Sequence, residues 1–159
     1  MTGPGPGSVI LRQVAPDEAA GAAARALQTA VLRPDGPLPG DSEPAIGALT
    51  VAAIDGEVVV GAVTVDRARW PVPDLAVLPD PQWQLRSLAV APAARGSGLG
   101  GQLVAAAVDL ARDAGAASLW AQIRVAALPV YLRQGWVSVG SEWDKPGVGP
   151  HRYGWASLR

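Results

Sequence analysis

Along the chain, short runs in which hydrophobic and polar residues alternate are separated by segments with apolar positions at helical spacing. Residues 8–14, Ser-Val-Ile-Leu-Arg-Gln-Val, read as a first strand. Pro16, Asp17 and Glu18 give a helix start, with proline early and acids in the first turn. The helix they predict runs to about Leu32 and buries Ala19, Ala23, Ala26, Leu27, Ala30 and Val31. Arg33-Pro34-Asp35-Gly36-Pro37 ends it, and residues 33–46 form a Pro/Gly loop of a length that is often functional. Apolar runs at 49–54 and 57–65 flank Asp55-Gly56, a strong two-residue hairpin signal. Residues 66–82 carry four prolines and form a second long loop.

Residues 83–90, Trp-Gln-Leu-Arg-Ser-Leu-Ala-Val, read as the next strand, and a short loop at 91–94 leads into the glycine-rich turn 95–101. That turn opens a helix with Leu99, Leu103, Ala107 and Leu110 inside and Asp109, Arg112 and Asp113 outside. Ala114-Gly115 ends it, and residues 117–123 read as a further strand. A strand–helix–strand unit of this kind requires its two strands to be parallel and neighbouring. A short helix at 126–134 follows, tolerating Pro129 only in its first turn and ending at Gly135. Strands at 136–142 and 153–158 close the chain, with a third loop at 143–151 between them. The order predicts a mixed α/β sheet, antiparallel at first and parallel at the strand–helix–strand unit.

Composition narrows what such a domain can do. The 159 residues, 49% hydrophobic, suit one domain with a real core. We expect it over residues 8–159, with residues 1–7 as a disordered Gly/Pro leader. A net charge of −1 and the lack of a basic tract argue against nucleic acid as a partner. There is no cysteine and one histidine, His151, which excludes thiol chemistry and a multi-histidine metal site. The N-terminus is not a signal peptide, and no apolar run reaches the roughly 18 residues of a membrane span. A cytoplasmic protein with no membrane partner is the expectation. Six tryptophans and no phenylalanine suggest no mechanism.

The candidate chemistry begins at Arg95-Gly96-Ser97-Gly98-Leu99-Gly100-Gly101. The first N–H groups of a helix have no intrahelical partner and carry partial positive charge. Glycine removes the side chains that would hold a phosphate away. A Walker A loop needs a lysine here, and the only lysine is Lys145. Gly96, Gly98 and Gly101 match the string G-x-G-x-x-G, but residues 116–121 lack the acid a nicotinamide cofactor's ribose requires. A glycine turn without a ligand is the plainer alternative.

The turn also matches Gln/Arg-x-x-Gly-x-Gly/Ala. With Leu88-Ala89-Val90-Ala91-Pro92 before it, the stretch resembles the coenzyme A pyrophosphate loop of the GNAT superfamily of N-acyltransferases. A second stretch, from Ala127 through Tyr131 to Gly135-Trp136, resembles that family's helix beside the thioester, with Trp136 in the place of a phenylalanine. The resemblance covers roughly residues 8–158. It implies a mixed, mostly antiparallel central sheet with a parallel splayed strand pair and flanking helices, and acetyl-CoA as cofactor.

By the same resemblance, Leu88, Ala89, Val90, Arg95, Gly96, Ser97, Gly98, Leu99, Gly100, Gln122 and Tyr131 would bind the cofactor. Tyr131 would give a proton to the departing thiolate; as a plain residue it would be part of the core. The family often has asparagine near the end of the strand before this helix, where Gln122 or Arg124 stands. Many members use a glutamate on the strand matching residues 83–90, which here offers only Gln84, Arg86 and Ser87. Candidate bases are therefore His151, Glu142 and Asp144. His151 titrates nearest neutrality and lies in a Gly-Pro-His phrase similar to one in a small-molecule branch of the family. Arg33 and Arg86, with His151, are candidates for binding the substrate, the arginines through an anionic group; ordinary surface pairing is their alternative. The activity implied is acetyl transfer to a small-molecule amine by direct attack, in a monomer or homodimer. A catalytically silent acyl-CoA-binding module is the alternative.

Overall fold

The computed structural model describes residues 8–159, so the leader expected at 1–7 lies outside the described residues. Seven strands form one sheet in the order β1-β2-β3-β4-β5-β7-β6. They are β1 (Val9–Val14), β2 (Leu49–Asp55), β3 (Val58–Arg67), β4 (Gln82–Val90), β5 (Ser118–Arg124), β6 (Val137–Lys145) and β7 (Gly149–Ser157). Helices α1 (Ala19–Leu32), α2 (Leu99–Asp113) and α3 (Leu128–Leu132) flank it. Every strand pair is antiparallel except β4–β5. The sheet is therefore mixed and mostly antiparallel, as expected.

Strand alternation assigns the two faces. Ala52, Ile54 and Ala62 face α1 and pack with Val14 and Ala24. Their neighbours Val51, Ala53, Val63 and Val65 face the other way, onto Leu99, Leu103, Val104, Ala107 and Ala111 of α2. Tyr131 of α3 and Trp136 extend that second layer across Leu119, Ala121 and Ile123 of β5. Leu110, expected inside α2, is only half-buried, and Ala111 takes the buried place.

Five further boundaries or faces differ from expectation. Helix α1 begins at Ala19, so Pro16, Asp17 and Glu18 form the turn before it. Its buried residues are Gly21, Ala24 and Gln28, whereas Ala19, Ala23, Ala26 and Ala30 are exposed. A helix of alanines has no dominant apolar stripe, so tertiary hydrogen bonds of Gln28 fix its rotation. The hairpin turn is Gly56-Glu57, one residue later than expected, because Asp55 pairs with Val58. The expected 126–134 helix is a 3-10 turn, Val125–Ala127, followed by the short α3, with Pro129 in its first turn. Finally, the expected loop 143–151 is mostly strand, because β6 and β7 continue to a tight turn and pair Trp143 with His151.

The parallel pair is short. Only Gln82↔Ser118, Trp83↔Leu119 and Gln84↔Trp120 are in register. This end is fastened by Ala117 N–H donating to Pro81 O (2.8 Å) and by Ser118 Oγ donating to Pro79 O (2.7 Å). Beyond it each strand follows its outer neighbour. β4 stays with β3 through Ala62↔Ala89 and Gly61↔Val90, and β5 stays with β7 through Ile123↔Arg152 and Arg124↔His151. The sheet thus opens between β4 and β5. Among the described residues, no helix is long and apolar enough to cross a membrane.

Gly21 is where α1 meets the chain entering it, and a Cβ there would run into the Ala15 carbonyl oxygen. Both partners are backbone, so neither can turn aside. Gly21→Ala should lower stability by about 1–3 kcal/mol, the usual range for overpacking. Urea unfolding measures this, and an unchanged midpoint would show that the entry into α1 shifts freely.

Candidate active site

The glycine turn has a geometry that an anion cradle requires. After a 3-10 turn, Pro92–Ala94, the chain passes through Arg95 in an extended conformation. Gly96 (φ 81°) and Gly98 (φ 81°) are left-handed, a conformation other residues enter at a cost. Ser97 Oγ donates to Ala94 O (2.7 Å) and closes the loop. Arg95 Nε donates to Val90 O (3.3 Å), tying the loop to the end of β4. The first carbonyl used by α2 is that of Gly98, which accepts from Gln102 N–H (3.2 Å), so the N–H groups before Gln102 are left for a ligand. A Cβ built at Gly96, Gly98 or Gly100 would meet no heavy atom within 4 Å. The outer side of the loop is open, which suits a pyrophosphate. Leu99, expected among the cofactor residues, buries its side chain in the core and can offer only its backbone.

From this loop the opening between β4 and β5 leads into a cavity of about 600 Å³. Leu88, Gln122, Tyr131 and His151 all line it. Tyr131 belongs to the α2–α3 layer, where it packs edge-on against Trp136 at 4.9 Å. His151 and Gln28 belong to the opposite face, and the gap in the sheet is what brings both sides to one space. Ala89 is buried and paired to Ala62, and Val90 is paired to Gly61, so these two contribute by position on the strand.

A bulge shapes the β4 wall. Between the pairs Ala62↔Ala89 and Thr64↔Arg86, β4 has one residue more than β3, and Ser87 takes φ 57°. Gln28 of α1 holds this bulge: its Nε2 donates to Ser87 O (3.0 Å) and to Thr64 Oγ1 (3.0 Å). Thr64 Oγ1 is in turn 2.9 Å from Thr50 Oγ1. Gln28 was missed from the sequence; its only trace is one amide in an alanine-rich helix.

The candidate bases separate cleanly. Glu142 and Asp144 are exposed on β6, outside the cavity lining. His151 is 4% exposed and lines the cavity, with its ring tilted over Trp143 at 5.1 Å. Its Nδ1 lies 2.8 Å from Gly149 O. A carbonyl can only accept, so Nδ1 holds the proton and Nε2 of the neutral ring holds a lone pair. Burial foremost, then Lys145 and Arg124, lowers its pKa, while the Gly149 carbonyl and Asp144 oppose the shift.

The two candidate substrate arginines line the cavity but are engaged. Arg33 grips Asp41 through Nε to Oδ2 and Nη2 to Oδ1, both 2.6 Å, and donates to Leu32 O as well. The pair raises the Arg33 pKa and holds Asp41 far below the ordinary carboxylate range. Its effect is to pin the 33–46 loop over the cavity. Arg86 donates to Ser42 Oγ (3.2 Å), Ser42 O (3.3 Å) and Gln84 Oε1 (3.1 Å), and sits 3.6 Å from buried Asp66. Gln122 accepts from Lys145 Nζ (3.3 Å), a residue the sequence reading placed only in a loop.

The model of the acetyltransferase (GNAT) family matches residues 21–136. No curated protein sequence matches the chain. Solved structures do match in fold. Escherichia coli ElaA is 13% identical with a TM-score of 0.72, covering 94% of this chain and 99% of its own. Salmonella typhimurium yncA, solved with its cofactor acetyl-CoA, is 17% identical with a TM-score of 0.67, covering 95% and 94%. An aminoglycoside 6'-N-acetyltransferase complexed with coenzyme A is 13% identical with a TM-score of 0.70, covering 94% and 97%. With the family model matched over most of the chain, and with a glycine cradle leading into a split parallel strand pair, this protein belongs to the GNAT acetyltransferase family, whose cofactor is acetyl-CoA.

Proposed function

We propose that residues 8–159 act as one catalytic unit, an N-acetyltransferase that acylates a primary amine of a small molecule by direct attack. The observation that carries this reading is the meeting of Tyr131 and His151 in one cavity at the mouth of the β4–β5 opening. Bound acetyl-CoA supplies a thioester carbonyl for the amine to attack and a sulfur that leaves as thiolate.

The chain's own residues do the rest. The α2 N-terminus and Arg95-Gly96-Ser97-Gly98-Leu99-Gly100 hold the pyrophosphate through backbone N–H groups. The freed edges of β4 near Leu88, Ala89 and Val90, and Gln122 on β5, take the amides of the pantetheine arm as an added strand would. A backbone N–H near Leu88 or Val90 supplies the oxyanion contact on this reading. Nε2 of His151 takes the proton the acceptor nitrogen sheds as the new C–N bond forms. Tyr131 returns a proton to the sulfur as the C–S bond breaks. Burial raises the phenol's pKa, so the hydroxyl keeps its proton until the thiolate forms.

Arg124 and Lys145 help in a less direct way. Nearby positive charge disfavours a second cation, so an amine entering this cavity loses its proton more readily than in water. An acyl-CoA-binding module without turnover is the second reading. The observation in its favour is that β4, the strand on which many family members carry a glutamate, offers no carboxylate, and its Gln84 is bonded to Arg86.

Thiol release from acetyl-CoA across a panel of primary amines tests the function, and intact acetyl-CoA binding with no release from any amine would favour the silent module. Gly98→Glu should abolish acetyl-CoA binding in calorimetry, since it sets a carboxylate against the pyrophosphate; unchanged affinity would remove the phosphate-loop assignment. Tyr131→Phe keeps the ring on Trp136 and should lower kcat about a hundredfold with acetyl-CoA affinity nearly intact, in the range of a lost general acid. Equal turnover would make the tyrosine structural. His151→Gln should lower kcat/KM about a hundredfold or more. Because the folded imidazole titrates below its ordinary value, its acid limb in the wild-type kcat profile, read at saturating acceptor, should lie below about pH 6.5. That acid limb should vanish in the variant, and a limb that persists would exclude His151 as the base.

A further inference from the structure

The charges of the cavity are unevenly matched. Arg33 is spent on Asp41, and Arg86 on Ser42, Gln84 and Asp66. Arg25, also on the lining, donates to Pro16 O (2.9 Å). Two cations remain. Among the described residues the Arg124 side chain makes no hydrogen bond or ion pair, and the Lys145 ammonium has one partner, the neutral amide of Gln122. They lie on the two strands that flank β7, which carries His151: Arg124 pairs with His151 across β5–β7, and Lys145 pairs with Gly149 across the β6–β7 turn. Directly paired residues in an antiparallel ladder share a face, so Arg124 and His151 project to the same side.

We infer that Arg124 and Lys145 form an anion subsite beside His151, and that the acceptor is an amine carrying its own carboxylate or phosphate near the reacting nitrogen. This rests on the acetyl-transfer reading above and deepens it.

Three observations carry the inference. First, two cations converge on a concave surface with no carboxylate paired to either, and the only acids on the lining are Asp41, held by Arg33, and exposed Glu43. Holding like charges together costs free energy, which a bound anion would recover. Burial first, then like charges, lower both pKa values: Arg33 and Arg95 at Arg124, and Arg33, Arg124 and Arg86 at Lys145, where Asp41 alone opposes. Second, the phosphates of the cofactor have their own cradle at residues 95–100, none of which lines this cavity. Third, the same field opposes polycationic acceptors, so the aminoglycoside class named for one structural neighbour is disfavoured here.

The test uses acetyl-CoA turnover on matched amine pairs: α-amino acids against their primary amides, phosphoethanolamine against ethanolamine, and an aminoglycoside as polycation. The two anionic arms distinguish carboxylate from phosphate. Wild type should favour the anionic member of at least one pair by about ten- to hundredfold in kcat/KM, the range for a hydrogen bond to a charged group. Lys145→Met and Arg124→Met should collapse that preference through KM of the acceptor, Lys145→Arg should retain it, and acetyl-CoA affinity should change little. Neutral or polycationic amines as the best acceptors would overturn the inference. So would variants that weaken acetyl-CoA binding while leaving the acceptor preference intact, since the cations would then serve the cofactor. If no amine of any charge releases thiol, the transfer reading itself fails, and the subsite is judged by calorimetry of CoA-loaded protein with succinate and inorganic phosphate. Binding lost in the double variant Lys145→Met/Arg124→Met would sustain the anion subsite; no binding to wild type would overturn it.

Discussion

Beyond Gln84 and Trp120 the two central parallel strands stop sharing hydrogen bonds, and the site is arranged around that break. A strand edge with unpaired N–H and C=O groups inside a protein is costly, because each group has given up water without a partner. The fold tolerates the break because each strand keeps a ladder on its outer side, β4 with β3 on both sides of the Ser87 bulge and β5 with β7. The inward edges are then open to a ligand that brings its own amides. The same gap gives the helix layer of Tyr131 access to the face that carries His151.

The break also explains why α1 matters so far from its own ends. The β4 bulge turns Ser87 into a left-handed conformation that costs a non-glycine residue free energy. Gln28 offsets that cost with a hydrogen bond to the Ser87 carbonyl and anchors itself through a buried one to Thr64. A buried amide without both partners would be a liability. The rotation of α1 is thus set by one polar side chain rather than by apolar area, and the bulge, the helix and the wall of the cavity are fixed together.

Charge divides the cavity into committed and uncommitted parts. The Arg33–Asp41 pair is bidentate and closes a loop, so it acts on the shape of the site rather than on a ligand. Arg124 and Lys145 set the local potential instead. That potential favours neutral His151 and, on our reading, a neutral amine, the two protonation states that direct attack requires.

Much of this was legible in the residues in order. Periods of two and of 3.6 and the turn residues between them marked the order of strands and helices, though not all their ends, because side-chain direction repeats locally. The glycine cradle was legible too, since Gly96 and Gly98 occupy conformations that few other residues accept. Tyr131 could be singled out by its spacing from Gly135 and Trp136. What stayed hidden depended on distant neighbours. Alanine gives almost no directional signal, so the buried face of α1 followed from Thr64 and Ser87, residues more than thirty positions away. His151 looked like a loop residue because Pro146, Gly147, Gly149 and Pro150 crowd its segment; pairing with Trp143 and Arg124 made it a strand residue facing the cavity. Arg33 looked free for a substrate until the path of the 33–46 loop returned Asp41 to it. The sequence by itself therefore determined the order of the elements and the glycine turn, which depend on local backbone preference. The tertiary structure alone decided which polar side chains were already satisfied and which were left for a ligand, because hydrogen-bond and charge partners are assigned by proximity in space.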